Sequence, residues 1–322
     1  MLRIGTRGSQ LARWQARAVA AQLEATASAR CELVTIRTSG DRLAEATLGE
    51  VGGKRLFVKE LEDALLAGTI DLAVHSAKDM SATLPDELAL GAVLPREDPR
   101  DALVLPQARG ATAPDAHLQT LLGARPRIGT SSVRRVAQLH RAFPDAMFGA
   151  IRGNVDTRLR KLDEGQFDAI VLAAAGLRRL GFDDRISALI SPDVCLPAPG
   201  QGIIAIQTLA SRNDLRECLT LLNDADAWAA LEAEHALVAA LGGGCQIPLG
   251  ALAHFVDHET LELSAVVTSL DEEHEVRAVG FGRREEAANL GGRVADQLLA
   301  GGAGTILDGL RDLQAPVKDL QP

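Results

Sequence analysis

Ile4-Gly5-Thr6-Arg7-Gly8-Ser9 near the start of the chain is echoed by Ile128-Gly129-Thr130-Ser131-Ser132 further on. Each stretch runs from an apolar strand through Gly-Thr into a small polar residue suited to cap a helix. Two similar α/β lobes would produce this echo. So would chance, because Gly, Ser and Thr are common at turns.

Outward from these two stretches, short apolar runs alternate with helical patterns. Leu2–Arg7 reads as a strand, followed by a helix from Ser9 to about Ala25. Cys31–Thr38, Asp71–Ser76 and Leu88–Leu94 read as strands, and Val58–Ala67 as a helix ended by Gly68. A second series follows Arg96-Glu97-Asp98-Pro99-Arg100-Asp101: strands at Arg127–Gly129, Ala146–Ile151 and Phe167–Leu172, and helices at Val133–Ala142 and Val155–Asp163. This rhythm predicts parallel sheets with helices on their faces. The last third differs. Trp228–Leu241 reads as a long helix ended by glycines, Leu261–Ser269 and Glu275–Gly280 as antiparallel strands, and Glu285–Ala300 as a covering helix. The expectation is an α/β protein of two lobes with a smaller C-terminal α+β domain, joined by a hinge at Leu196-Pro197-Ala198-Pro199-Gly200-Gln201-Gly202.

Composition narrows the function. A chain of 322 residues, 47% apolar, can bury two or three cores. No apolar stretch reaches the roughly 18 residues that span a bilayer. The N-terminus lacks a signal peptide's apolar core, so a cytoplasmic location is expected. A net charge of −9 without a long basic run argues against nucleic acid. The four cysteines form no CxxC pair, and no Cys/His cluster has zinc-site spacing, so no metal is expected. Three of the four read as small buried hydrophobes.

Arginines recur at strand-to-helix turns: Arg7, Arg134-Arg135, Arg152 and, one turn into a helix, Arg158. Helix N-termini suit anions, and guanidinium offers a bidentate fork to carboxylate. Singly, each arginine reads as a solvated helix residue. Together they suggest a cleft for a ligand with several carboxylates or phosphates. His75-Ser76-Ala77-Lys78-Asp79 sits at a strand end, where Asp79 reads either as a catalytic carboxylate or as a turn cap paired with Lys78. Gly242-Gly243-Gly244-Cys245 places a thiol after a flexible loop, as a nucleophile or as a buried residue near a helix end. Val51-Gly52-Gly53-Lys54 lacks the spacing of a phosphate-binding loop.

Arg3-Ile4-Gly5-Thr6-Arg7, Val51–Leu61, His75–Asp79, Glu97–Asp101, Gly129–Arg135, Arg152-Gly153-Asn154-Val155, Leu196–Gly202 and Gly243–Pro248 together resemble the motifs of porphobilinogen deaminases, in the family's order and over nearly the whole chain. The resemblance implies two lobes of a type II periplasmic-binding-protein fold, residues 1–96 with 203–220 and residues 97–202, and a third domain over 221–322. It implies a dipyrromethane cofactor bound covalently by Cys245. Four porphobilinogen molecules are joined to it with loss of ammonia, and hydroxymethylbilane is released by hydrolysis. It makes Asp79 the catalytic carboxylate. Ser9, Lys78, Ser132, Arg134 and Arg135 become cofactor contacts, and Arg7, Arg152, Arg158 and Arg179 become substrate contacts. A monomer is expected from the family. Glu50 stands where some relatives carry lysine, with Arg55 near enough in sequence to compensate. Ala77 replaces a usual methionine and Ser81 a usual proline, and Asp156 adds a negative charge near Arg152. Other readings of the same two lobes are a non-catalytic organic-anion-binding protein and a different Cys- or Asp-dependent enzyme.

Overall fold

The structure is a computed structural model that describes residues 1–38, 58–109, 118–242, 247–269 and 274–314. Glu50, Arg55 and Cys245, with most of the Val51–Leu61 motif, lie outside the described residues.

Strand β1 (Leu2–Arg7) leads into helix α1 (Gln10–Ala27), and the Ser9 hydroxyl accepts the Ala12 N–H at 3.2 Å as its cap. Ala12, Ala16, Val19, Ala20 and Leu23 recur at helical spacing and form the buried stripe of α1. Next come β2 (Cys31–Ile36), α2 (Lys59–Leu66), β3 (Leu72–Ser76) and β4 (Leu88–Val93). The chain then crosses to a second sheet. There it forms β5 (Asp101–Val104), α3 (Leu118–Leu122), β6 (Arg127–Gly129), α4 (Val133–Ala142), β7 (Met147–Gly149), α5 (Val155–Asp163), β8 (Ala169–Ala173), α6 (Ala174–Arg179) and β9 (Ala188–Leu189). It returns as β10 (Ile204–Leu209) and α7 (Arg216–Thr220).

The sheets have equivalent orders, β2-β1-β3-β10-β4 and β7-β6-β8-β5-β9. The Gly-Thr echo therefore marks corresponding places, at β1 and at β6, the strand second in order in each sheet. One expectation needs correction, because the sheets are mixed rather than parallel. β1 runs parallel to β2 and β3, and β6 to β7 and β8, but β10 is antiparallel to both its neighbours and so is β5. Both antiparallel strands are the first laid down after a crossing, so each enters its new sheet from the opposite end. Ile4, Leu72, Val74, Ile204 and Ile206 meet α1 on one face of the first sheet, while Leu61, Leu65, Ile70 and Ala73 pack the other. Of the cysteines expected to be buried, Cys195 is, but Cys31 and Cys218 are half-buried.

The last third is a meander of β11 (Leu249–Phe255), β12 (Thr260–Thr268) and β13 (Glu275–Arg283). Helices α8 (Ala225–Ala240) and α9 (Ala287–Ala300) cover one face, and α10 (Ala303–Gln314) follows. Leu249, Ala251, Leu261, Leu263 and Ala265 face Ala233, Leu237, Leu290 and Val294, while Val279 and Phe281 are exposed. A side chain at Gly291 would collide with the Ala233 carbonyl, so glycine is what lets α8 and α9 approach. No helix among the described residues is long and apolar enough to cross a membrane.

Glu234, wholly buried on α8, pins these parts together. It accepts from Arg96 Nη1 at 2.6 Å, from the Gly200 amide at 2.5 Å and from the Ala253 amide on β11 at 2.7 Å. Arg96 also donates to the Ala253 carbonyl at 3.1 Å. Removing one member of such a pair leaves a buried charge uncompensated. Glu234→Ala should lower unfolding free energy by about 3–5 kcal/mol in urea titration. Arg96→Ala should act similarly, with the double variant well short of the sum.

Asp71 ties β1 to the chain after β10 through Arg3 Nη2 at 3.1 Å and Arg212 Nη1 at 2.8 Å. Burial pushes this carboxyl up, but the hydrogen bonds from Arg3 and Arg212 outweigh it and hold it well below the usual range. A carboxyl lowered in the folded state stabilises above its unfolded value, near 4, and that stabilisation is lost as pH falls further. Asp71→Asn should therefore flatten the fall in stability below about pH 4, measured by urea unfolding across acid pH.

Candidate active site between the lobes

The first lobe brings its charged groups to the ends of β1 and β3. Arg7 closes β1, Ser9 caps α1, and a single 3-10 turn, Ala77–Asp79, follows β3. Behind that turn, His75 Nε2 meets Gln207 Oε1 at 3.0 Å, while Gln207 Nε2 donates to Glu62 at 3.2 Å. Burial drives His75 down to about 4, so the ring is neutral near pH 7. Ala77 fills a small buried site with Met80, Val93 and Ile203, and a side chain on Gly200 would fall 2.8 Å from the Lys78 amide nitrogen. The hinge thus lies directly on the Lys78 turn.

The second lobe presents α4 and α5. Ser132 caps α4, accepting from the Arg135 amide at 3.4 Å, which places Arg134 and Arg135 in its first turn. Both guanidinium groups turn inward to Asp101. Arg134 Nη2 donates to Asp101 Oδ2 at 2.8 Å and Arg135 Nη2 to Oδ1 at 2.7 Å. Arg134 Nη1 also reaches the Leu196 carbonyl at 2.6 Å, and Arg135 Nη1 the Val171 carbonyl at 2.8 Å. Arg135 Nε is buried with no hydrogen-bond partner among the described residues. Burial pushes Asp101 up, but Arg134 and Arg135 outweigh it and keep the carboxylate charged. Burial pushes the neighbouring Cys195 thiol up to about 12, so it stays protonated.

Cations crowd the space between the lobes. Burial, with Arg135 and Arg134 against Asp79 and Asp101, brings Lys78 down to about 8. Burial and Arg135, opposed by Asp79, bring Arg158 to about 10. Asp79, Asp101, Arg134 and Arg135 are thus close enough to act on Lys78, and Asp79 and Arg135 close enough to act on Arg158. Arg158 Nε is anchored on the Gly153 carbonyl at 2.8 Å. Two expected contacts stand apart from this cluster. Arg152 is exposed, its carbonyl held by Lys161 at 3.2 Å. Arg179 lies at the hinge, donating to the Gly202 carbonyl at 2.5 Å with its guanidinium 5.9 Å from the centroid of the Trp14 ring.

Asp101, Gln201, Arg96 and Glu234 were not singled out as functional from the sequence. Asp101 and Gln201 stand inside motifs that were noticed, but a motif does not say which member is buried. Glu234 shares its helix with Asp226 and Glu232, and nothing in the sequence marks which of the three carboxylates is buried.

Residues 2–217 match the family model for the dipyromethane cofactor binding domain of porphobilinogen deaminase, and residues 228–300 match the model for its C-terminal domain. The chain is 48% identical over 310 residues to porphobilinogen deaminase of Syntrophobacter fumaroxidans, covering 96% of this chain and 97% of that one. It is 46% identical over 308 residues to that of Trichlorobacter lovleyi, with 95% and 96% covered. Two lobes that carry their charged residues to facing strand ends, a pinned third domain and this likeness end to end agree: the chain belongs to the porphobilinogen deaminase family.

Proposed function

We propose that the interlobe cleft binds a dipyrromethane attached to Cys245 and extends it with porphobilinogen, in the transferase reaction that yields hydroxymethylbilane. The observation that carries this is Asp79, a carboxylate whose charge acts on both Lys78 and Arg158 in a space where cations outnumber anions. Among the described residues, Asp79 and Asp101 are the carboxylates that act on Lys78, Arg134, Arg135 and Arg158, and Arg135 keeps a buried donor without a partner there. Such a site suits a ligand that brings carboxylates, and each pyrrole of the dipyrromethane carries an acetate and a propionate. When bound, that group supplies the nucleophilic pyrrole to which substrate is joined.

The residues divide the remaining work. Lys78, Arg134, Arg135, Ser132 and Ser9 hold the cofactor, with Ser9 and Ser132 at helix N-termini where anions are favoured. Arg158, Arg7, Arg152 and Arg179 take the substrate's carboxylates. Asp79 stabilises the positive charge that develops on the pyrrole as ammonia leaves and moves protons at that ring, the reverse in sign of an oxyanion hole. The proposed division into residues 1–96 with 203–220, residues 97–202 and residues 221–322 lets the lobes shift about the hinge as the product grows, with the enzyme acting as a cytoplasmic monomer.

Asp79→Ala should keep the melting temperature near the wild-type value and reduce kcat by about 10²–10⁴; near-normal turnover would remove Asp79 from the chemistry. Intact mass tests the cofactor. The purified chain should exceed its sequence mass by two deaminated porphobilinogen units, mapped to Cys245. Cys245→Ser should lack that increase even after incubation with porphobilinogen.

A further inference from the structure

Gln201 stands at the crossing between the lobes, buried, with its amide atoms facing opposite lobes. Its Nε2 donates to Asp101 Oδ1 at 2.8 Å and to the Pro99 carbonyl at 2.7 Å. Its Oε1 accepts from Lys78 Nζ at 3.3 Å. The opposite orientation is excluded by chemistry, since a carboxylate and a carbonyl only accept and an ammonium only donates. The backbone is held as firmly. Gln201 N donates to the Ala198 carbonyl at 2.9 Å, and Arg96 Nε donates to the Gln201 carbonyl at 2.9 Å. Gly200 and Gly202 on either side have φ of 74° and 91°, and a side chain at Gly202 would collide with the Glu97 carbonyl. A residue this constrained has one place to put its amide.

We propose that Gln201 is a positioning residue for Lys78: its amide fixes the first lobe's ammonium against the second lobe's Asp101–Arg134–Arg135 cluster and so sets the spacing of the cations across the cleft. This rests on the reading of Lys78 as a holder of cofactor carboxylates. The groups that face Lys78 are Asp79 on its own turn, Asp101 on β5, and Arg134 and Arg135 on α4. Of the two helping carboxylates, Asp101 is already shared by Arg134, Arg135 and Gln201 itself. Without the Gln201 oxygen, the ammonium would face the arginines with Asp79 as the one carboxylate that Arg134 and Arg135 do not already share.

Two variants separate this from a purely structural role. Gln201→Glu keeps the shape and sets a carboxylate on Nζ, whereas Gln201→Met keeps the bulk and removes the acceptor. Both lose the donor to Asp101, so both should lower the melting temperature. On Lys78 they should act in opposite directions. The measurement is the pH midpoint of Lys78 acylation in purified holoenzyme, read by peptide mapping with an amine-reactive reagent, beside the alkaline limb of kcat/KM. The midpoint should rise by about one pH unit in Gln201→Glu and fall in Gln201→Met, with the kcat/KM limb following each. If Gln201→Glu does not fold, Gln201→Asn serves: it keeps the amide but is too short to span both lobes, and its midpoint should fall. Lowered melting temperatures with unmoved midpoints would overturn the proposal. Midpoints that move while the kcat/KM limb stays fixed would overturn it too, by removing Lys78 from the binding work, yet would leave the deaminase reading on Asp79 standing.

Discussion

Asp101 has no solvent exposure, and the site is arranged around that fact. An isolated carboxylate could not remain charged there, because the interior replaces the favourable field of water with very little. Two guanidinium groups and an amide supply that field, and they come from α4 and from the hinge. Placing Asp101 at the start of β5, the first strand after the crossing, therefore brings together a helix N-terminus, the hinge and, through Gln201, the Lys78 turn of the other lobe. Neutralising one carboxylate with two arginines leaves net positive charge. Lys78 and Arg158 add to it, and Asp79 only partly offsets them. In the proposed function, this excess is what the carboxylates of the growing pyrrole chain would meet.

The same arrangement makes the proposed binding of a polyanion compatible with a net charge of −9. Exposed charges farther off than about 8 Å are largely screened at physiological salt, so the acidic exterior contributes little inside the cleft. Burial works the other way on the near neighbours. It draws Lys78 down to about 8 and Arg158 to about 10, which means that each cation gains from an anion placed beside it.

Much of this was legible in the sequence, for definite reasons. The Gly-Thr echo marked equivalent turns because the strand-to-helix geometry at β1 and at β6 requires the same small residues. Val133–Ala142 and Val155–Asp163 were readable to the residue because each combines an apolar stripe with a polar cap. Strand direction was not readable. Ala102-Leu103-Val104 and Ile204-Ala205-Ile206 are buried on both faces, and an apolar run reports burial, not which way the chain travels. The burial of Arg134 and Arg135 was equally hidden. A helix N-terminus argues for exposure, and the carboxylate that turns both arginines inward lies more than thirty residues upstream.

In the third domain one buried carboxylate fixes the elements that flank the Cys245 segment. Helix α8 ends at Ala240 and β11 begins at Leu249, with Cys245 between them in sequence. Glu234 on that helix accepts the amide of Ala253 on that strand, so one buried carboxylate fixes both flanks. It accepts the Gly200 amide as well, and Arg96 binds it from the first lobe's end of the crossing. The flanks of the cysteine segment are thereby set relative to the hinge. The next residue along the hinge, Gln201, reaches the first lobe's Ala77–Asp79 turn through Lys78 and the arginine cluster through Asp101. Cofactor anchor and charged site are thus referred to one short stretch of backbone. A change in the hinge must register at both, whereas the sheets on either side can remain rigid.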